Sequence, residues 1–150
     1  MSRAYPARPI VGLGVVLLRG RDVLLVRRAK PPGLGSWSLP GGAQEVGETA
    51  EAGARRELLE ETGVTAGPLR LVAHVDSIHR HPAGQVQFHY TILDFTGSWA
   101  TGTATAESDV SEVAWAPVDS LAPYALTSDA LRVIALAVSS GRATGPRCVG

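Results

Sequence analysis

The sequence predicts an α/β fold in which a mixed β-sheet packs against helices. Apolar, β-branched segments come in groups separated by short turns, one long run of strong helix formers interrupts them, and a second helical pattern follows near the end. This order of strands, helix, strands and helix is typical of a sheet covered by helices. With 150 residues, 45% of them hydrophobic, the chain can bury one core, so we expect a single domain over residues 1–150.

The first 40 residues predict a hairpin followed by a loop. Two β-branched segments at residues 10–19 and 22–28 flank a Gly-Arg turn, which is a hairpin pattern. Residues 30–35 contain two prolines and two glycines and therefore form a loop. Residues 37–40 are at most a very short strand.

The clearest predicted helix covers residues 48–62. This stretch consists mostly of strong helix formers and contains no proline. Gly63 follows at the position where a left-handed C-terminal cap is expected.

The rest of the sequence, after the first predicted helix, predicts three strands and a second helix. Strands are expected at residues 69–78, 85–95 and 110–116, with a loop of small residues at 96–108 between the last two. Residues 128–138 carry apolar side chains at helical spacing and predict the second helix.

Charge and cysteine content exclude several classes of protein. Fourteen basic and fourteen acidic residues cancel, so no global positive field exists to hold a nucleic-acid polymer. The apolar run at residues 10–18 is too short to span a bilayer, so we expect no membrane insertion. The only cysteine, Cys148, lies in a tail at residues 141–150 that we expect to be flexible beyond a core at about 8–140. These features favour a cytoplasmic protein without disulfides.

The predicted helix 48–62 places three carboxylates on one face. Glu57, Glu60 and Glu61 stand at positions i, i+3 and i+4, within one helical turn. The residues upstream on that face are small, so hard oxygen ligands stand beside an open volume, as a divalent cation requires. A solvated helix face is the alternative interpretation, because acidic runs are usually solvated.

The same stretch resembles the Nudix box, G-x5-E-x7-R-E-U-x-E-E-x-G-U, where U is aliphatic. The match consists of Gly42, Glu48 and the run RELLEETGV at residues 56–64. The sequences WSLPGG at residues 37–42 and WAPVDSL at residues 115–121 are also typical of this family. The resemblance implies an α/β/α sandwich with a mixed β-sheet and a catalytic loop-helix.

The resemblance also implies Mg2+-dependent hydrolysis of a pyrophosphate bond, with Mn2+ as an alternative ion. The metal ligands that it implies are the Gly41 carbonyl, Glu57, Glu60 and Glu61. Glu60 and Glu61 are thereby also candidate catalytic residues. Glu48 and Arg56 correspond to box positions that support the loop-helix geometry, and we assign them a structural ion pair.

The resemblance implies a general base in a loop beyond the helix. Glu107 is the best positional candidate, Glu112 is the second choice, and Glu61 takes the role if no loop residue serves. A solvent-exposed acid without a catalytic role is an equally weighted interpretation of Glu107.

Two residues are candidates for substrate binding. Strand alternation sends Arg27 and Arg28 to opposite faces, and we favour Arg28 as the one that faces a phosphate, with a solvated arginine as the alternative. Trp37 could stack on a base or ribose, or belong to the core.

The resemblance implies a small-molecule nucleotide as substrate. The segment YPARPI at residues 5–10 looks like that of short ADP-ribose pyrophosphatase-like members, so ADP-ribose or a related nucleoside diphosphate sugar is our first hypothesis. The alternatives are a pyrophosphohydrolase of oxidised nucleoside triphosphates and, from another class, a non-catalytic Nudix-fold module that senses nucleotides. Many family members dimerise, so the resemblance leaves a homodimer open.

Overall fold

The computed structural model describes residues 3–31 and 33–143, and in this part of the chain one eight-stranded sheet lies between two helices. The strands are β1 (Ile10–Arg19), β2 (Asp22–Arg28), β3 (Trp37–Ser38), β4 (Gly41–Ala43), β5 (Thr65–Ala66), β6 (Arg70–Arg80), β7 (Val86–Thr101) and β8 (Val110–Pro117). The helices are α1 (Ala50–Thr62) and α2 (Ser128–Ala143), with a short 3-10 helix at Ala122–Tyr124. The predicted α/β/α arrangement with a mixed sheet is confirmed.

The sheet is organised around β1. This strand pairs in parallel with β7 from Ile10 opposite Tyr90 to Leu18 opposite Ser98. Its other edge pairs antiparallel with β4 at residues 12–14 and with β2 at residues 18–19. Strand β2 also pairs with β3 and β8, and β7 with β5 and β6. The glycine pair in β4 is thereby fixed directly to the central strand.

Side-chain alternation along β1 divides the core into two layers. Leu13, Val15 and Leu17 pack against α1, which contributes Ala54 and Leu58. Val16, on the opposite face, belongs to the layer completed by three residues of α2: Val133, Ile134 and Ala137. The two helices therefore cover opposite faces of one sheet, as the apolar periodicity predicts.

Helix α1 begins two residues later than the sequence indicates. The Thr49 hydroxyl accepts a hydrogen bond from the Ala52 N–H at 3.0 Å and caps the helix, so Ala50 is its first residue. Gly63 ends the helix with φ 74° and donates its N–H to the Leu59 carbonyl, as expected. Glu48 consequently lies in the preceding loop, where its side chain is free to pair with the helix.

The prediction of a loop at residues 96–108 is wrong for residues 96–101. Strand β7 continues to Thr101, where its end pairs with β5. The small residues reflect close packing here, since a Cβ on Gly97 would stand 2.6 Å from the Pro68 carbonyl oxygen. The short strands β4 and β5 were also not predicted, because two or three residues carry no periodicity.

Helix α2 is longer than predicted. It runs to Ala143, five residues beyond the expected end at residue 138, so residues 141–143 of the expected flexible tail are helical. The rest of that tail, including Cys148, lies outside the described residues. Neither α1 nor α2 is long and apolar enough to cross a membrane.

Candidate active site

A cavity of about 1040 Å³ lies between the sheet and α2. Strands β1, β6 and β7 form its floor, and the first turns of α2 form one wall. Gly41 and Gly42 line one end, where Arg28 and Asp109 also face the cavity. A concave volume of this size is sufficient for a nucleotide.

The two glycines at this end are required by close approaches. A Cβ on Gly41 would overlap the Leu13 carbonyl oxygen, and a Cβ on Gly42 would overlap the Glu57 carboxylate. Glu57 on α1 therefore lies directly against the backbone of β4. Small residues here allow the acidic helix to touch the strand that lines the cavity.

The strand register leaves the peptide groups of Gly41 outside the β1–β4 ladder. Val15 donates to the Pro40 carbonyl and Gln44 to the Val11 carbonyl, both at 3.0 Å, so Gly41 falls at a position that is not hydrogen-bonded to β1. Its N–H instead donates to Glu61 Oε1 at 3.0 Å.

Arg56 holds the glutamates around it by direct ion pairs. Its Nη1 contacts Glu57 Oε1 at 2.8 Å and Glu60 Oε1 at 3.1 Å, and its Nη2 contacts Glu48 Oε1 at 2.7 Å. Nη2 also donates to the Ala43 carbonyl at 3.1 Å. The hydrogen bonds from Arg56 hold the pKa of Glu48 down at about 2, and the same carboxylates, Glu48 first, raise the pKa of the guanidinium. The Glu48–Arg56 pair thus ties the loop before α1 to the helix.

Glu61 is the carboxylate whose charge the fold disfavours. Burial raises its pKa to about 7, and the negative charges of Glu57 and Asp109 act in the same direction. The Gly41 N–H and the positive charge of Arg28 oppose this rise without cancelling it. At neutral pH the carboxyl is therefore partly protonated.

The three glutamates of the shared face do not converge on a common point in the conformations present. Among the described residues, no group of three His, Cys, Asp or Glu side chains is arranged to hold a metal ion. Arg56 draws Glu57 and Glu60 to itself, and the Gly41 N–H holds Glu61. A cation must therefore compete with these contacts.

The donor set nevertheless fits a hard divalent cation in its chemistry. The available groups are carboxylate oxygens and the Gly41 carbonyl, which the β1–β4 ladder does not use. Glu61 lies close enough to Glu57 and Asp109 for their charges to raise its pKa, and a positive ion is the species that relieves such repulsion.

The structure places the two acids that the sequence favoured as general base, Glu107 in the loop and Glu112 on β8, away from the cavity. Glu107 donates its backbone N–H to the Glu61 carbonyl at 3.0 Å, but its exposed carboxylate accepts from the Thr105 hydroxyl at 2.7 Å. Glu112, also exposed, pairs with Arg27 at 3.2 Å. Neither carboxylate lines the cavity.

Asp109 is the loop acid that faces the cavity, and sequence reasoning missed it. It bears on Glu61 electrostatically and pairs with Lys30 Nζ at 2.9 Å. Ser108 has a positive φ of 54°, which turns the chain between Glu107 and Asp109. Position along the chain therefore could not decide which acid points inward.

The two substrate-binding candidates have different locations. Arg28 lines the cavity, whereas Arg27 donates to the Gly35 carbonyl at 2.8 Å on the other side of the strand. Trp37 does not line the cavity; its ring packs edge-on against Tyr124, with centroids 5.1 Å apart, beside the core layer of α2. Trp37 thus lies beside the core layer of α2, and a role in substrate binding stays a prediction.

Asp94 is a second cavity residue that sequence reasoning missed. It lies on β7, is only 4% exposed, and lines the cavity floor. Burial raises its pKa to about 6, Asp129 adds to that rise, and Arg132 opposes it. The available signal was a single carboxylate in the apolar stretch YTILDF, two residues after Ile92 on the same strand face.

Comparison with known proteins places these features in one family. The family model for the NUDIX domain matches residues 8–137. ADP-ribose pyrophosphatase of Methanocaldococcus jannaschii is 33% identical over 75% of this chain and 64% of its own length. Oxidized purine nucleoside triphosphate hydrolase of Mus musculus is 33% identical over 74% of this chain and 67% of its own length.

A solved structure shows the same fold. The MutT NUDIX hydrolase from Burkholderia pseudomallei superimposes with a TM-score of 0.76 at 27% identity, covering 86% of this chain and 98% of that one. The chain spans 64% and 56% of the lengths of the first two curated relatives, the archaeal protein above and a putative ADP-ribose pyrophosphatase of Bacillus subtilis.

Without divalent cations, we expect the free energy of unfolding to decrease as the pH rises from 5 to 8. A carboxyl with a folded-state pKa raised from 4.5 to about 7 contributes its full stabilisation below pH 4.5 and loses it as the pH rises through about 7. For Glu61 this loss is at most on the order of 3 kcal/mol.

Urea unfolding in EDTA across this pH range measures the effect. Glu61→Gln should remove most of the loss above pH 6 and leave the part from Asp94, which ends at lower pH. Parallel pH profiles for the variant and the wild type would contradict the placement of Glu61.

Proposed function

Because the chain belongs to the Nudix family, we propose that it hydrolyses the pyrophosphate bond of a nucleoside diphosphate derivative with the help of Mg2+. The observation that carries this proposal is the contact of Glu57 and Glu61 with Gly42 and Gly41, at one end of a cavity large enough for a nucleotide. The carboxylates that would hold a metal thereby lie directly behind the two glycines that line the cavity, without lining it themselves.

Each group at this end has a proposed role. The Gly41 carbonyl, Glu57, Glu60 and Glu61 would hold the ion, which when bound neutralises the diphosphate charge and acidifies water. Arg28, which lines the cavity, would bind a phosphate oxygen. Glu48 and Arg56 would hold the loop to the helix through their ion pair.

Among loop acids, we now place Asp109 ahead of Glu107 as the group that takes a proton from the attacking water. Asp109 faces the cavity and acts on Glu61, whereas the Glu107 carboxylate is engaged with Thr105 outside it. Glu61 stays the alternative because its pKa of about 7 suits proton transfer near neutral pH.

ADP-ribose or a related nucleoside diphosphate sugar is our first choice of substrate. The archaeal relative named ADP-ribose pyrophosphatase supports it. The segment that precedes β1 also reaches the cavity, since Arg3 and Ala4 line it and Tyr5 donates its N–H to the Gln87 carbonyl at 2.7 Å. An oxidised purine nucleoside triphosphate is the second candidate, supported by the mouse relative. A purely sensing module is disfavoured because every carboxylate of the Nudix box is present.

A panel of substrates with product identification tests the reaction. We expect ADP-ribose to yield AMP and ribose 5-phosphate in Mg2+ or Mn2+, with no turnover in EDTA. The second candidate predicts a nucleoside monophosphate and pyrophosphate from an oxidised triphosphate. Mass spectrometry distinguishes these products, and no metal-dependent cleavage of any nucleotide on the panel would refute the proposed function.

We expect Glu60→Gln to lower kcat by at least about a hundredfold, because removing one negative ligand weakens the stabilisation of developing charge. Glu60 is 46% exposed, so the fold should be retained. Glu51→Gln is the matched control, since Glu51 lies on the same helix and, among the residues that the structure describes, its side chain pairs with Arg55 alone. Equal activity of the two purified variants would contradict the assignment of Glu60.

A further inference from the structure

Asp94 is a buried carboxylate with an unusual lack of partners. It is 4% exposed, yet among residues 3–31 and 33–143 no group donates a hydrogen bond to it or forms an ion pair with it. Its oxygens are not sealed in the core, because the residue lines the cavity floor. No fully buried side-chain oxygen or nitrogen among the described residues lacks a partner, so the Asp94 oxygens reach the cavity surface, where water or a bound ligand can donate to them.

The backbone around Asp94 is arranged to leave its carboxylate open. Gly14 stands directly opposite Asp94 in the parallel β1–β7 pair, and a Cβ on Gly14 would overlap Asp94 Oδ1. Gly12, two residues earlier on the same strand face, also lines the cavity without a side chain. The pair of glycines therefore clears a flat area of floor beside the carboxylate.

The surroundings offer the carboxylate little compensation. Ile92 and Val75 on the sheet and Val133 on α2 line the same cavity with apolar side chains, and Ala73 is the register partner of Asp94 on β6. Asp129, on the same helix, carries the same charge, and Arg132 is half exposed and paired with Asp129 at 3.7 Å. Donors for this carboxylate therefore come from whatever fills the cavity, either water or a ligand that displaces it.

We propose that Asp94 is a specificity-determining residue that accepts hydrogen bonds from two adjacent donors on the substrate. This proposal rests on the proposed function, and it places the two donors on a part of the nucleotide about 10 Å from Gly41, because Gly14 is the register partner of both Gly41 and Asp94 and neighbouring strands lie about 4.8 Å apart. Gly41 and Gly42 line the end of the cavity where the diphosphate would be held, and Asp94 lines the floor beneath α2.

A carboxylate has two acceptor oxygens and no donor, so it selects a ligand edge with paired donors. Guanine offers such an edge, because its N1–H and its N2 amino group point in the same direction. The vicinal hydroxyls of a ribose offer the same chemistry. The Watson–Crick edge of adenine has one amino donor beside an acceptor nitrogen, and that acceptor would repel the carboxylate.

Binding of ligands without a pyrophosphate bond tests the proposal independently of catalysis. GMP is compared with IMP, which lacks only the N2 amino group, and ribose 5-phosphate with 2-deoxyribose 5-phosphate, which lacks the vicinal diol. By calorimetry, we expect the wild type to bind either GMP about tenfold more tightly than IMP, or ribose 5-phosphate about tenfold more tightly than 2-deoxyribose 5-phosphate. The first result would identify a guanine as the source of the donors, and the second a ribose.

Two Asp→Asn variants, one at Asp94 and one at a control position, test whether Asp94 causes the discrimination between ligands. Asp94→Asn should reduce the discrimination to about onefold, because an amide presents one acceptor and one donor. Asp76→Asn is the matched control, since Asp76 lies on neighbouring β6, is exposed and does not line the cavity. If Asp94→Asn fails to fold, Gly14→Ala replaces it, since its methyl group would occupy the position of Oδ1.

The outcomes are decisive in both directions. The proposal is supported if the wild type and the Asp76→Asn control discriminate between the two ligands of a pair and Asp94→Asn does not. This outcome does not depend on whether the chain hydrolyses any nucleotide. Discrimination of neither ligand pair by the wild type overturns it, and so does discrimination that persists in the Asp94 variants. Pyrophosphate cleavage with no such discrimination would leave the proposed function standing and refute this inference alone.

Discussion

The ion pairs of Arg56 are the interaction on which the rest of this structure depends. Three glutamates within one turn of α1 repel one another, and the guanidinium compensates two of them while it binds Glu48 and the Ala43 carbonyl in the preceding loop. Arg56 is 24% exposed, so its charge is only partly screened by water. One side chain thus fixes the loop to the helix and stabilises an acidic cluster without a metal.

The geometry of the cavity follows from that attachment. With the loop held on α1, strand β4 lies beside β1, and its two glycines bring Glu57 and Glu61 to one end of the cavity. The glycines of β1 open the floor, where Asp94 lies. Two acidic regions of different chemistry therefore lie at the cavity, one behind Gly41 and Gly42 and the other on the floor. The cluster on α1 suits a cation, and the single carboxylate on β7 suits hydrogen-bond donors.

Much of the fold and the acidic face of α1 could be predicted from the sequence, because both depend on local periodicity and on fixed spacing. The sequence could not place side chains that depend on contacts between distant segments. The strand character of residues 96–101 depends on pairing with β1 and β5, and Trp37 packs on Tyr124, which is 87 residues away (124 − 37). Asp109 lines the cavity and Glu107 does not, and the turn at Ser108 between them, with its positive φ, has no periodic signal in the sequence.

The central claim is that Gly41, Glu57, Glu60 and Glu61 form one divalent-cation site. Substoichiometric Mn2+ added to 15N-labelled protein tests it most directly, because the paramagnetic ion broadens only the amide signals of nearby residues. A site at these residues predicts selective broadening at residues 41–43 and 57–61. Broadening confined to other parts of the chain, such as the β6 residues His74 and His79, or uniform weak broadening of all signals, would contradict it.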